Sequence, residues 1–369
     1  MSEHIETVII GGGQAGLAVG YHLQRNDLPF VILDENARVG DVWRNRWDSL
    51  RLFTPGAYNG LPGMPFPGPK SAYPTKDEVA DYFESYVQRF GLPVRTGIEV
   101  DRLSDNDGGF RVDFGADHLL ADNVVVATGA YQHQVIPTFA AQLDSDILQV
   151  RSNEYHNPDQ LHEGGVLVVG AGNSGAEIAL DVAANHHVWL SGRHPGQEPT
   201  RAGSIPDRLF TPVMWLVATR LTVRTAPGRK LRDAFIDPPR GIPLGRVRRK
   251  DIVAAGIERV PRTVGVSNRQ PLLEDGRVLE VSNVIWCTGF THDYDWIEPP
   301  IAIEKGLPVH DRGIVETRPG LYFIGLKFLY SLSSALVGGV GRDAEYIVDH
   351  IVATRQDGRQ DLGAQRVQG

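Results

Sequence analysis

Residues 166–183 read VLVVGAGNSGAEIALDVA, and this stretch decides the fold class. Its apolar opening is a short buried strand rich in β-branched residues. Gly170, Gly172 and Gly175 then hold G-x-G-x-x-G spacing, and an apolar helical stretch follows. In such a unit the first glycine permits a tight turn and the second lets backbone approach a pyrophosphate. The third lets helix and strand pack closely. The phosphate meets free N–H groups at the positive end of the helix. The same unit stands at 7–23, TVIIGGGQAGLAVGYHL, where Gly11, Gly13 and Gly16 repeat the spacing and Gln14 and Ala15 open the helix. Two cradles in one chain of 369 residues predict an α/β protein with two interleaved dinucleotide-binding domains, one for each of two nucleotides.

The ends of the next strands say which nucleotides. After the first cradle, FVILDE ends in Asp34, 23 residues beyond Gly11, with Glu35 as the second candidate. An acid at that distance grips ribose hydroxyls of an adenosine. The plain alternative is a pair of surface acids at a strand end. After the second cradle, HVWLSGR ends in Ser191, Gly192 and Arg193 and carries no acid. A carboxylate there would repel a 2′-phosphate, whereas a hydroxyl and a guanidinium bind one, which favours NADP(H) over NAD(H). For Arg193 the alternative is an exposed turn arginine.

Composition narrows the partners. A formal net charge of −8 argues against nucleic acid. The single cysteine, Cys287, allows no internal disulfide and no Cys-x-x-Cys relay, and suits a reducing cytoplasm. The twelve histidines show no metal-ligand spacing, so no metal is expected. The start MSEHIE is no signal peptide, and no run reaches the roughly 18 apolar residues of a membrane span. A cytoplasmic protein is expected, with its oligomeric state, a homo-oligomer included, left open.

Between the cradles, RTGIEVDRL, GFRVDFG and HLLADNVVVATGAY read as an antiparallel meander. RTVGVSN and LLEDGRVLEVSNVIWCTGF form a second, and each ends in Thr-Gly: Thr128-Gly129 and Thr288-Gly289. The chain is therefore read as a diverged internal duplication. A first domain is expected over 1–155 and 284–369, with the second, 156–283, inserted. A last strand, GLYFIG, ends at Gly325, and the polar tail DGRQDLGAQRVQG is expected to be disordered. Residues 193–250 hold 13 Lys/Arg against four acids and enclose the apolar run LFTPVMWLVA. They read as a solvated insertion with one helix on the body, or as a substrate-access lid or a patch touching a membrane or a partner.

With these motifs the chain resembles the class B flavin monooxygenase superfamily, in its bacterial and plant YUCCA-type branch. The resemblance runs through FVILDENARVGDVWRNRWDSLRLFTP, YPTKDEVADYFESYVQRFGL, VVATGAY, VGAGNSGAEIALD, IWCTGF and GLYFIGL. It implies that Gly11, Gly13, Gln14, Ala15, Gly16 and Asp34 hold FAD, with Trp43 and Leu52 beside the flavin. Thr128, Gly129 and Gly325 close that site. Gly170, Gly172, Asn173, Ser174, Gly175, Ser191 and Arg193 would hold NADPH in a Rossmann-like fold. For Trp43 and Trp47 the alternative is core packing. The chain departs from the superfamily at its fingerprint, where Ser145, Ile147 and Arg151 replace Phe, Gly and His and only Tyr155 remains. Pro55 stands where animal members place an asparagine.

The implied chemistry is NADPH reduction of FAD, formation of a flavin C4a-hydroperoxide with O₂, and oxygenation of a small-molecule sulfur, nitrogen or carbonyl. Asn173 is the candidate catalytic side chain, near nicotinamide, or a turn residue capping its helix. The rival readings are an NADPH oxidase or acceptor reductase releasing H₂O₂, and a flavin-bound redox sensor without turnover.

Overall fold

The computed structural model describes residues 3–236 and 242–368. β1 (Glu3–Ile10) starts exposed and is buried from Thr7 onward. Its side chains alternate between two cores: Ile9 joins Ile32 in one, while Val8 and Ile10 join Val31 and Leu33 in the other. That is the two-residue period of a strand covered on both faces. α1 (Gln14–Arg25) returns the chain to β2 (Phe30–Asp34), which pairs parallel with β1. After the short α2 (Asp41–Arg44) comes α3 (Lys76–Phe90), started by a Thr75–Glu78 capping box and ended by Gly91 in the left-handed region. Tyr82, Phe83 and Tyr86 of α3 pack with Tyr21 of α1 in the first core. β3 (Val94–Thr96) adds an edge, and β4 (Arg102–Asn106), β5 (Gly109–Phe114) and β6 (Asp117–Val126) form the expected meander. β6 outruns β5, and from Leu119 to Val126 it lies parallel along β1.

β7 (His133–Gln134) leads into the second unit. There β8 (Leu148–Arg151), β9 (Val166–Val169), α4 (Asn173–Val182) and β10 (Val188–Ser191) are followed by α5 (Ile205–Arg220), α6 (Ala226–Ile236) and α7 (Arg249–Ala254). β11 (Glu258–Val260), the hairpin β12 (Thr263–Ser267)–β13 (Gln270–Leu273) and β14 (Asn283–Trp286) complete it. β15 (Phe290–Thr291) pairs back with β7. A hairpin of β16 (Ile303–Glu304) and β17 (Leu307–Pro308), then β18 (Leu321–Phe323) and α8 (Gly341–Gln368), finish the chain.

The sheets record the duplication. The first runs β3-β2-β1-β6-β5-β4, with β18 beside the last residues of β6. The second runs β11-β10-β9-β14-β8 and is wholly parallel. In both, the strand before the glycine turn sits between the strand after its helix and a strand ending in Thr-Gly.

Four expectations change. β8 and β14 pair in the second sheet, so the division at 155/156 and 283/284 cuts that sheet. A short apolar strand carries no mark of which sheet it joins; only register decides. The second meander shrinks to the β12–β13 hairpin, because β14 leaves it for the parallel sheet. The backbone of the tail is helical to Gln368. Ala344, Ile347, Val348 and Ile351 anchor the start of α8 in the first core, and a nucleated helix then gains one hydrogen bond per added residue. The basic segment holds two helices, α5 and α6, and the first residues of α7, rather than one helix; its Asp237 and Arg240 lie outside the described residues.

Candidate functional site

The two glycine turns face the same constraints. Gly11 and Gly170 have φ of 110° and 109°, a region closed to most side chains. A Cβ on Gly11 would lie 2.6 Å from the Ala127 carbonyl oxygen, and one on Gly170 2.1 Å from that of Cys287. A Cβ on Gly16 would meet the Gly11 oxygen at 1.9 Å, and one on Gly175 the Gly170 oxygen at 1.8 Å. Gly13 and Gly172 are the opposite case, with nothing within 4 Å of either added carbon. The first and third glycines of each turn are demanded by the protein itself. The middle ones look into open space at a helix N-terminus, where the backbone N–H groups favour an anion. Both turns therefore fit a dinucleotide pyrophosphate.

Around the first turn, Asp34 is buried at the end of β2. Its Oδ2 accepts from the Gly12 N–H at 2.8 Å, and its Oδ1 from the backbone and side-chain nitrogens of Asn36. A carboxylate offers about four acceptor positions, so it can brace the turn and still take one ribose hydroxyl. Glu35 is exposed and makes no such contact with the turn. Gly325 needs its bare backbone because a Cβ would press on Ala15 at 3.1 Å, and it lies against Gly129. Thr128 accepts from Gln132 at 2.6 Å. Ala15, Thr128, Gly129 and Gly325 thus converge on the first cradle. Gln14 reaches across it to the Ala335 carbonyl at 3.4 Å. Trp43 and Leu52 pack into the core beside it, whereas Trp47 is buried in the core of the second unit.

Around the second turn the amides and hydroxyls are differently engaged from the sequence expectation. The Asn173 amide donates to the carbonyls of Ile242 at 3.1 Å and Pro243 at 3.4 Å, and accepts from the Gly245 N–H. It fastens the returning end of the insertion over the start of α4, in place of a free amide aimed at a nicotinamide. Ser191 is fully buried. Its hydroxyl donates to the Pro261 carbonyl at 2.9 Å, contacts the Thr263 hydroxyl and accepts from the Thr263 N–H. A hydroxyl so engaged locks β10 to the following loop and does not face a phosphate. Ser174 stands half-buried in the first turn of α4.

Arg193 is exposed, and among the described residues its guanidinium has no partner. Beside it Arg259, placed by the pairing of β11 with β10, donates to the Gly192 carbonyl at 2.7 Å. Burial, and then the charges of Arg259 and Arg249, push the neighbouring His194 below its ordinary value. The strand end is thus a cluster of cations. Sequence reading found Arg193 and missed Arg259, which sits 66 residues away and is brought in only by strand pairing. It also missed the Arg246–Glu177 pair, at 3.1 Å, in which Arg246 additionally donates to the Arg51 carbonyl of the first unit. At the first cradle it missed Lys327, whose ammonium lies 5.1 Å from the centre of the Tyr131 ring.

Two nucleotide cradles on two duplicated sheets define a two-dinucleotide oxidoreductase. The profile of the pyridine nucleotide-disulphide oxidoreductase family matches residues 8–207. An uncharacterized oxidoreductase, CzcO-like, of Geobacillus kaustophilus is 40% identical over 353 residues, covering 95% of this chain and 99% of the relative. The probable indole-3-pyruvate monooxygenase YUCCA7 of Arabidopsis thaliana is 29% identical, covering 86% of this chain and 82% of the relative. A flavin-containing monooxygenase from Stenotrophomonas maltophilia has a solved structure of TM-score 0.73 and 27% identity, over 95% of this chain and 99% of that one.

The chain belongs to the pyridine nucleotide-disulphide oxidoreductase family, in its class B flavin monooxygenase superfamily. It is an enzyme, an oxidoreductase whose cofactors are FAD and NADPH.

Proposed function

We propose that this enzyme is a monooxygenase that oxygenates a nucleophilic sulfur or nitrogen, or a carbonyl, of a small molecule, with FAD in the first cradle and NADPH in the second. The observation that carries the assignment of cradles is the contrast at their outer strand ends. The first closes on the buried acid Asp34, the second on Arg193, unpartnered among the described residues, with Arg259 beside it. Bound FAD, reduced by NADPH, supplies the activation of O₂.

This chain's own residues bind, orient and shield. Gly13 and Gly172 leave room for the two pyrophosphates, and the first turns of α1 and α4 donate N–H groups to them. Asp34 accepts a ribose hydroxyl of FAD. Arg193 reads the 2′-phosphate of NADPH while Arg259 steadies the Gly192 turn. Asn173 positions the 242–245 segment over the second cradle. Trp43 and Trp47, four residues apart, pack into the first and the second core respectively, and so pin the loop between the units against entry of water. The substrate sits in the crevice at the carboxyl ends of the strands. The reducing environment that a lone cysteine suits is the cytoplasm.

The test is a balance of products. With a panel of thioethers, amines and ketones, NADPH consumed, H₂O₂ released and oxygenated product are measured together. Product equal to NADPH supports the monooxygenase. Peroxide equal to NADPH assigns an oxidase, and no turnover with any acceptor assigns a redox sensor.

A further inference from the structure

The outward arc of α5 is apolar. Ile205 is 77% exposed, Leu209 74%, Val213 57% and Leu216 53%, and a spacing of four, four and three residues puts them in one stripe along a helix of 3.6 residues per turn. An ordinary surface helix turns such a stripe inward. The rotation of α5 is held by its inner side. Asp207 is buried and accepts from Tyr73, Thr200 and Thr211 hydroxyls and from the Gly203 N–H. Trp215 packs against Tyr58 with ring centres 5.0 Å apart and the planes tilted by 38°, and Ala218 is buried. The Thr219 carbonyl accepts from Arg342 at 2.8 Å.

The stripe is rimmed by cations. Arg208 and Arg220 flank it on the helix, and Arg201 and Arg224 stand just beyond its two ends, all exposed. Among the described residues none of these four guanidiniums has a hydrogen bond or ion pair. The only acid of α5 is Asp207, which is turned inward.

We propose that α5 lies with this outer face in an anionic lipid surface, its apolar stripe among the acyl chains and its arginines at the headgroup phosphates. A basic rim around an apolar stripe is the signature of an interfacial helix. With 16 residues, α5 lies on such a surface rather than crossing it. A second copy of this chain fits the face less well. A two-fold contact sets the same surface against itself and brings like-charged rims together out of water. The net negative charge of the whole chain does not oppose the docking, because charges more than about 8–10 Å from the surface are screened at physiological salt.

The experiment is sedimentation of the full-length protein with vesicles of phosphatidylcholine alone and of equal parts phosphatidylcholine and phosphatidylglycerol. The protein is expected to bind the mixed vesicles, to release them as salt is raised, and to bind the neutral vesicles far less. Leu209→Glu with Val213→Glu should lose at least about tenfold in binding, since each places a charge in the apolar layer. Arg208→Gln and Arg220→Gln should each cost roughly fivefold. Flavin content, melting temperature and NADPH-driven flavin reduction should stay at wild-type levels. Leu209→Ser is the milder variant, should the charged pair not fold. Absence of binding to the mixed vesicles overturns the proposal, as does binding that these variants leave unchanged. A dimer that Leu209→Glu dissolves, without vesicle binding, assigns the stripe to a second copy instead.

Discussion

Gly13 is the position where a single added carbon should separate folding from the proposed cofactor binding. Among the described residues nothing lies within 4 Å of an added Cβ there, so Gly13→Val should fold while filling the space proposed for the pyrophosphate. The purified variant is expected to show a wild-type circular dichroism spectrum and little flavin absorbance; retention of full FAD would disprove the assignment of the first cradle. At the second cradle, Arg193 and Ser191 stand two residues apart and should behave oppositely. Arg193→Ala removes the proposed charge-assisted contact to the 2′-phosphate, worth roughly 1.5–3 kcal/mol. It should weaken NADPH by about 10- to 150-fold and leave NADH nearly unchanged. Ser191→Ala breaks a buried bonding set instead, and should lower stability by about 1–3 kcal/mol with little change in NADPH preference. Stopped-flow flavin reduction and thermal melting separate the two outcomes.

Helix α4 carries a titratable group whose ionisation opposes its own burial. Desolvation pushes the Glu177 carboxyl up to about 7 from an ordinary value near 4.5, and Arg246 only partly offsets this. A folded-state value above the unfolded one means that the folded chain binds the proton more tightly. The stabilising contribution is therefore full below about pH 4.5, declines as pH rises through the window up to 7, and is gone above it. Its size is on the order of 3 kcal/mol. Glu177→Gln should remove this slope. The difference between wild-type and variant melting curves is expected to fall with pH across that window, and a flat difference would mean that Arg246 keeps the carboxylate ionised throughout.

The two units are joined through the loop that follows α2. Trp47 leaves the first unit and is buried among Val150, Tyr155 and Ile285 of the second, with its indole N–H unpartnered among the described residues. Its role is packing, so Trp47→Ala should cost about 3–5 kcal/mol. Trp47→Phe should cost much less, because no hydrogen bond is lost. Denaturant unfolding of both variants measures this, and equal losses would show that the indole nitrogen has a partner after all. Asp48 adds to the joint by donating its N–H to the His156 carbonyl at 2.8 Å and accepting from the Asn157 amide.

What the sequence determined by itself was local. Glycine spacing, a β-branched strand before each turn and the acid or arginine at the next strand end are all set within about 25 residues. They picked out both glycine turns, and Asp34 and Arg193 at the strand ends beside them, without any long-range contact. Tertiary structure alone decided what depends on pairing across the chain. It put β8 and β14 in the second sheet, since a four-residue apolar strand fits either. It brought Arg259 to Arg193 and Arg246 to Glu177. It also turned Ser191 and Asn173 toward the protein. Both are polar side chains that bond whatever donor or acceptor folding sets beside them, and the carbonyls of Pro261, Ile242 and Pro243 come from loops about 70 residues away.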